Sequence, residues 1–273
     1  MNINTLNSNN NVSDSVVLPP RMKNINMWFD VNWIDVTGLG NVKELYDRSG
    51  KGNNVSNDIS SERPRHAALS SEFRGGTKVA YFYEQVLSDQ TLENDSATLT
   101  SVFGTALSPL VDPEFEFAAV IAEHPDSTSA EMFFGINSST YDDQVWFGRH
   151  NTGASFRVRG SVDNTFDTSD GVFTDNAPST YVFSCQQDGE GEMNAYAWIQ
   201  GNSLDWDDEG ISSNYPMDPG TLRGMDEIIL GGMVLGTGSW HGYVAEMILW
   251  SGKHSAAERT QTLNYLRDKW DCS

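Results

Sequence analysis

Residues 25–54 read INMWFDVNWIDVTGLGNVKELYDRSGKGNN. Ile25, Met27, Phe29 and Val31 alternate with Asn26, Trp28, Asp30 and Asn32, a period of two that puts the first set on the inward face of a β-strand. The run Asp47-Arg48-Ser49-Gly50-Lys51-Gly52 that follows has three candidate meanings: a phosphate cradle, a metal loop or a turn. A phosphate loop needs paired glycines at fixed spacing, a terminal Lys-Ser/Thr and a helix opening directly behind it, and this run has none of these. It is predicted to be a turn, with Asp47 accepting from amides ahead of it and Gly50 and Gly52 supplying positive φ.

The same period of two recurs in FEFAAVIAE (115–123), QVWFGR (144–149), SFRVRGSV (155–162), YVFSCQQ (181–187), NAYAWIQ (194–200), DEIILGG (226–232) and GYVAEMILW (242–250). With the opening strand this makes at least eight strands, separated by turn-forming clusters such as DGEGEMN and RHNTGAS. Helical spacing appears at the end, where Ser255 and Glu258 form a capping-box pattern and Leu263, Leu266 and Trp270 share a stripe. Many short strands without interleaved helices predict an all-β fold, a two-sheet antiparallel jelly-roll sandwich with one short C-terminal helix. Residues 1–24 are rich in Asn and Ser, lack any period and contain Pro19-Pro20, so they read as an arm; the sandwich is expected over 25–273.

The chain of 273 residues carries a formal charge of −21. A nucleic-acid partner needs clustered Lys and Arg, so this class is excluded. Cys185 and Cys272 have no Cys or His partner at zinc-site spacing. Free thiols are the expectation, with a Cys185–Cys272 bridge open only if the chain end returns to that strand. The N-terminal stretch lacks the basic start and apolar run of a secretory signal, so synthesis in a cytoplasm without export is expected, and no run reaches membrane-spanning length.

Trp28-Phe29-Asp30, the turn from Asp47 to Asn53, Arg63-Pro64 and the closing GYVAEMILWSGKHSAAERTQTLNYLRDKW (242–270) resemble the concanavalin A-like lectin/glucanase superfamily in its laminin-G-like branch. The C-terminal match is the specific part; Leu45 stands where that branch has a tryptophan before the turn. The resemblance implies a lectin-like sandwich. The glucanase branch works with a Glu-x-Asp-x-Glu type strand that sets two carboxylates for a retaining mechanism. Here Glu114 and Glu116 flank Phe115 without a third member and read as solvent-facing partners of Phe115 and Phe117. No Gly-x-Ser-x-Gly or His-x-x-x-His motif occurs, so no catalytic residues are assigned and the chain is expected not to be an enzyme.

Three sets of binding residues are singled out. Trp206, Trp240 and Tyr215 sit among loop residues where flat rings could stack on sugars, making them candidates for glycan binding. Trp146 and Trp198 share that strand-end setting, although Trp198 and Trp270 also fit as packing residues. Asp205, Asp207 and Asp208 are the candidate calcium ligands, set against the plainer reading of a solvated acidic surface; no other cofactor is expected. Val16, Val17 and Leu18, a short apolar run before the prolines, are the candidate docking segment for strand addition to a neighbour. Together these predict a non-catalytic lectin-like structural or binding module. Its expected setting is a bacteriophage virion, as a fibre, tail or capsid-decoration subunit, present in many copies, joined to other virion proteins by the arm and facing host glycans. The alternative is a divergent carbohydrate-active enzyme or a cell-surface adhesin.

Overall fold

The computed structural model describes residues 18–20, 22–68, 77–83, 90–94, 115–126, 130–138, 144–150, 153–159, 163–167, 178–187, 193–200, 225–232, 239–252 and 254–272. Among the described residues fifteen strands are formed: β1 (Ile25–Val36), β2 (Val42–Asp47), β3 (Val55–Ser56), β4 (Arg65–Ala68), β5 (Lys78–Phe82), β6 (Leu92–Asn94), β7 (Phe115–Glu123), β8 (Ala130–Ser138), β9 (Gln144–His150), β10 (Gly153–Arg159), β11 (Asp163–Asp167), β12 (Ser179–Gln187), β13 (Met193–Gln200), β14 (Met225–Leu230) and β15 (Gly242–Ser251). One α-helix among the described residues, α1 (Ala256–Trp270), follows the last strand.

The strands run in the order β11-β10-β9-β8-β14-β6-β3-β2-β1-β15-β7-β12-β13, with β5 added to β15 and β4 to β5, and the ladders are antiparallel. In a flat sheet β7 and β8, seven positions apart in that order, would lie roughly 34 Å from each other at about 4.8 Å per strand. Instead Phe117 of β7 stacks on Phe134 of β8 at 5.1 Å and on Phe147 of β9 at 4.2 Å between ring centroids. The ladder therefore doubles back into two facing layers, an antiparallel jelly-roll sandwich with one large apolar core cluster and a small second one of Met132, Trp146 and Ile229. β1 pairs with β15 through Ile25–Asp30 and with β2 at Phe29 and, past a register break, at Ile34–Val36.

The Asp47 turn is formed as its residues predict. One carboxylate oxygen accepts the amides of Ser49 (2.9 Å) and Trp28 (3.0 Å), the other accepts the amide of Asn53 (2.9 Å) and the Ser49 hydroxyl (2.8 Å), and Gly50 and Gly52 have φ of 81° and 80°. The terminal helix also forms from its caps. Ser255 accepts from the Glu258 amide, Glu258 accepts from the Ser255 amide at 2.8 Å, and Asp271 closes the helix in the left-handed region. Leu263, Leu266 and Trp270 are buried, as expected.

The helix corrects the reading of β1 as a strand with one buried face. Trp28 and Asp30, on the supposedly outward face, are 2% exposed, because α1 lies over the outer side of β1 and β15. Glu246 of β15 accepts the indole N–H of Trp28 (2.6 Å), the indole N–H of Trp270 (2.6 Å) and the Tyr265 hydroxyl (2.7 Å). Lys269 Nζ stands 2.8 Å from both Glu246 and Asp30, and Arg48 donates to Asp30 at 2.8 Å. Burial and the neighbouring Glu246 push the Tyr265 phenol far up, so it stays a donor.

Glu116 is corrected in the same way. It is fully buried beneath the start of α1, accepting from the His254 amide and, at 3.3 Å, from Arg259 Nε. Glu114 lies outside the described residues. At the other end of the domain, Pro19 is buried and the Pro20 carbonyl accepts the Trp250 indole N–H at 3.0 Å. The last residues assigned to the arm are thus tied to the sandwich.

Candidate functional site

Helix α1 covers the outer face of β15 around Glu246, Ile248 and Trp250, and the outer face beyond it carries a different set of side chains. Cross-strand register places Arg65 of β4 opposite Tyr81 of β5, Tyr81 opposite Tyr243 of β15, and Tyr243 opposite Ala122 of β7. Side chains two residues apart share a face, so Tyr83, His241 and His124 line up as a second row beside the first. Backbone bonding continues between these rows, with the His124 amide donating to the His241 carbonyl at 2.9 Å.

The rings are packed as one plate. Tyr81 stacks on Tyr243 at 4.5 Å and 20° and on Tyr83 at 5.7 Å and 19°, while His124 and His241 stack at 4.1 Å and 11°. The Tyr81 hydroxyl lies 3.2 Å from His241 Nε2, and the Arg65 guanidinium sits 4.7 Å over the Tyr83 ring, donating to its hydroxyl at 3.2 Å. Below the plate, the buried Glu131 accepts the His241 amide at 2.9 Å, fixing that loop. Tyr81, Tyr83, His124 and His241 are half-buried, with 25% of the His124 side chain exposed.

Charge on the plate is confined to its edge. Burial, reinforced by Tyr243, pushes the Tyr81 phenol up to about 12, and burial also raises Tyr243. Burial and the neighbouring His124 pull the His241 imidazole below its usual value. Tyr81, Tyr243 and His241 are therefore neutral at physiological pH; because the rings stack face to face on one another, and Tyr243 is buried, the group turns ring edges, hydroxyls and imidazole nitrogens outward for hydrogen bonding.

A cavity of about 180 Å³ opens beside Tyr83, lined by Asn41, Ser60, Ser61, Arg63, Arg65, Tyr83 and Gln90. Arg63 is held at its wall by donating to the carbonyls of Asn57 (2.6 Å) and Asp58 (3.0 Å), and Gln90 accepts the Tyr83 amide at 3.1 Å. Plate and cavity thus share Tyr83 and Arg65.

The residues singled out in the sequence are distributed otherwise. Trp240 is 0% exposed and packs edge-on against Phe133 at 5.6 Å, so its ring has no free face for a sugar and the assignment is corrected to a core role. Trp146 is buried too. Leu18 is 51% exposed, whereas Val16 and Val17 lie outside the described residues. Trp206 and Tyr215, and the candidate calcium ligands Asp205, Asp207 and Asp208, also lie outside them. Among the described residues no group of three metal-ligating side chains converges. Cys272 is a free, buried thiol. No helix among the described residues is long and apolar enough to cross a membrane.

The plate was legible only in part. Tyr81-Phe82-Tyr83 and His241-Gly242-Tyr243 each alternate, which signals an outward aromatic pair; which strands bring them together lies in the tertiary structure.

No family profile and no curated protein sequence matches the chain. Solved structures do share its fold. A GH54 α-L-arabinofuranosidase superposes with a TM-score of 0.51 at 16% identity over 85% of this chain. The binding domain of botulinum neurotoxin DC, in complex with rat synaptotagmin II, gives 0.51 at 9% identity over 90%. The chain spans 52% of each of those two structures. The CBM40 module of the Ruminococcus gnavus IT-sialidase, bound to α2,3-sialyllactose, gives 0.45 at 13% identity over 70% of this chain and 96% of its own. At these identities the likeness concerns the fold alone, that of a β-sandwich domain.

Proposed function

We propose that this chain is a non-catalytic, lectin-like binding module of the concanavalin A-like, laminin-G-like kind, and that it engages carbohydrate on the tyrosine–histidine plate. The observation that carries this reading is the register that sets Tyr81 against Tyr243, with Tyr83, His124 and His241 in the adjoining row, on the part of the outer face that α1 leaves uncovered. A pyranose presents C–H groups to the outward ring edges and hydroxyls to the phenol and imidazole groups among them. The carbohydrate-binding and receptor-binding sandwiches among the similar structures make a binding role a natural use of the fold, although fold alone assigns no ligand.

Glycan-array binding of the intact protein, repeated with Tyr81→Ala and Tyr83→Ala, tests the reading. Stacked aromatics contribute about 0.5–1.5 kcal/mol beyond their buried area, so each variant is expected to weaken binding by up to about tenfold while the circular dichroism spectrum is retained. Undiminished binding in both variants, or no glycan bound by the wild type, refutes it. Non-catalysis belongs to the same reading: no release of sugar is expected from arabinofuranosides or β-glucans. Display on a larger assembly such as a virion is its further part, with residues 1–17 as the attachment; deleting residues 2–17 should leave a folded domain that no longer assembles.

A further inference from the structure

We infer that the plate is specific for a carboxylate-bearing sugar, whose ring rests against the outward edges of Tyr81 and Tyr83 while its carboxylate enters the adjoining cavity against Arg65, an inference that rests on the carbohydrate reading above. Acidic residues outnumber Lys and Arg by 38 to 17 in this chain, so a surface hollow is expected to carry carboxylates. Among the described residues the cavity beside Tyr83 is lined by two arginines and no acidic residue. Both guanidinium groups bond to uncharged acceptors: Arg63 to the Asn57 and Asp58 carbonyls, Arg65 to the Tyr83 phenol. A locally positive hollow in a strongly negative protein concentrates anions where the remaining surface repels them.

Position and chemistry converge on one ligand part. Arg65 lies over Tyr83 at 4.7 Å, and Tyr83 stacks on Tyr81 at 5.7 Å, so a sugar resting against the outward edges of these rings meets Arg65 at the mouth of the cavity. A volume of about 180 Å³, against about 30 Å³ for one water in the liquid, accommodates a carboxyl group and part of the ring that bears it. The planar guanidinium matches a carboxylate with two parallel N–H···O bonds, a match that lysine lacks. Ser60, Ser61 and Asn41 on the same wall offer hydroxyl and amide groups to the sugar hydroxyls.

Uronic acids and nonulosonic acids such as sialic acid share this chemistry. The experiment is calorimetric titration of the full chain with a glucuronate oligosaccharide and with a sialyl oligosaccharide, each alongside its methyl ester. The acid of one pair is expected to bind about tenfold or more tighter than its ester, and the pair that shows this names the source. Arg65 is exposed, so Arg65→Gln is expected to keep the wild-type melting temperature while abolishing the preference for acid over ester. Arg65→Lys should restore only part of it. Equal affinity for acid and ester in both pairs, or a preference that survives Arg65→Gln, overturns the carboxylate inference and leaves the carbohydrate reading standing. Absence of binding to all four sugars, and to the wider array, overturns the carbohydrate reading itself and this inference with it.

Discussion

Replacing Glu246 with glutamine conserves shape and removes one charge and one acceptor from the centre of the helix–sheet contact. One Glu246 oxygen accepts from Trp28 Nε1 at 2.6 Å and Tyr265 Oη at 2.7 Å; the other accepts from Trp270 Nε1 at 2.6 Å and faces Lys269 Nζ at 2.8 Å. Whichever way the new amide is turned, its NH₂ group meets two donors. A buried donor left without an acceptor costs about 1–3 kcal/mol, and Lys269 loses one of its two carboxylate partners, keeping Asp30 at 2.8 Å. Removing one member of a buried ion pair typically destabilises by about 3–5 kcal/mol, and two orphaned donors fall in the same range. For a domain of this size, roughly 2–4 °C per kcal/mol converts this to a fall in melting temperature of roughly 6–20 °C. The assay is urea unfolding followed by tryptophan fluorescence, with Arg267→Gln as the comparator. Arg267 pairs with Asp268 on the exposed side of the helix, where ion pairs contribute little, and the midpoint should not move. A Glu246→Gln midpoint as close to wild type as that of the comparator would refute the assignment of this network as the clasp of the helix.

Trp270→Ala, which deletes a fully buried ring and a donor to Glu246, should destabilise by about 3–5 kcal/mol in the same urea assay. Gly50 and Gly231 separate two kinds of strain. Gly50→Ala has φ of 81° and open space around the new methyl, and should lose about 1–2 kcal/mol. Gly231→Ala, with φ of 87° and a Cβ that would fall 2.1 Å from the Phe82 ring, should lose distinctly more; equal midpoints for the pair would contradict this. His66 and His241 are both pulled below the ordinary 6.5 chiefly by burial, so the unfolded chain binds protons that the folded one does not. Stability is then highest above 6.5 and falls as pH drops through the lowered folded-state values. Melting temperatures between pH 7 and 5 should show a shallower decline in a His66→Gln/His241→Gln double variant.

Local chemistry determined what the residues near one another in the chain become. Alternation at Ile25 to Val31 and along FEFAAVIAE makes strands, the Ser255–Glu258 box starts the helix, and Asp47 with two positive-φ glycines makes the turn. These features depend on backbone sterics and on hydrogen bonds spanning a few residues, so they are written in short words of sequence. A period of two also says that side chains face opposite ways. It does not say what lies against each face. Trp28, Asp30 and Glu116 alternate outward and are nevertheless buried, because the helix that follows β15 folds back over them. Trp240 stands among glycine and serine and is nevertheless core, because Phe133 meets its ring. The plate is the extreme case: Tyr81 and His241 are 160 residues apart, and their contact exists only because β5 adds to β15 along Gly242–Val244. Strand partners are selected by burial summed over the whole domain and by loop closure across long separations, which is why eight of the strands and the final helix were readable from sequence, whereas β4 and β5 and the plate they carry required the tertiary structure.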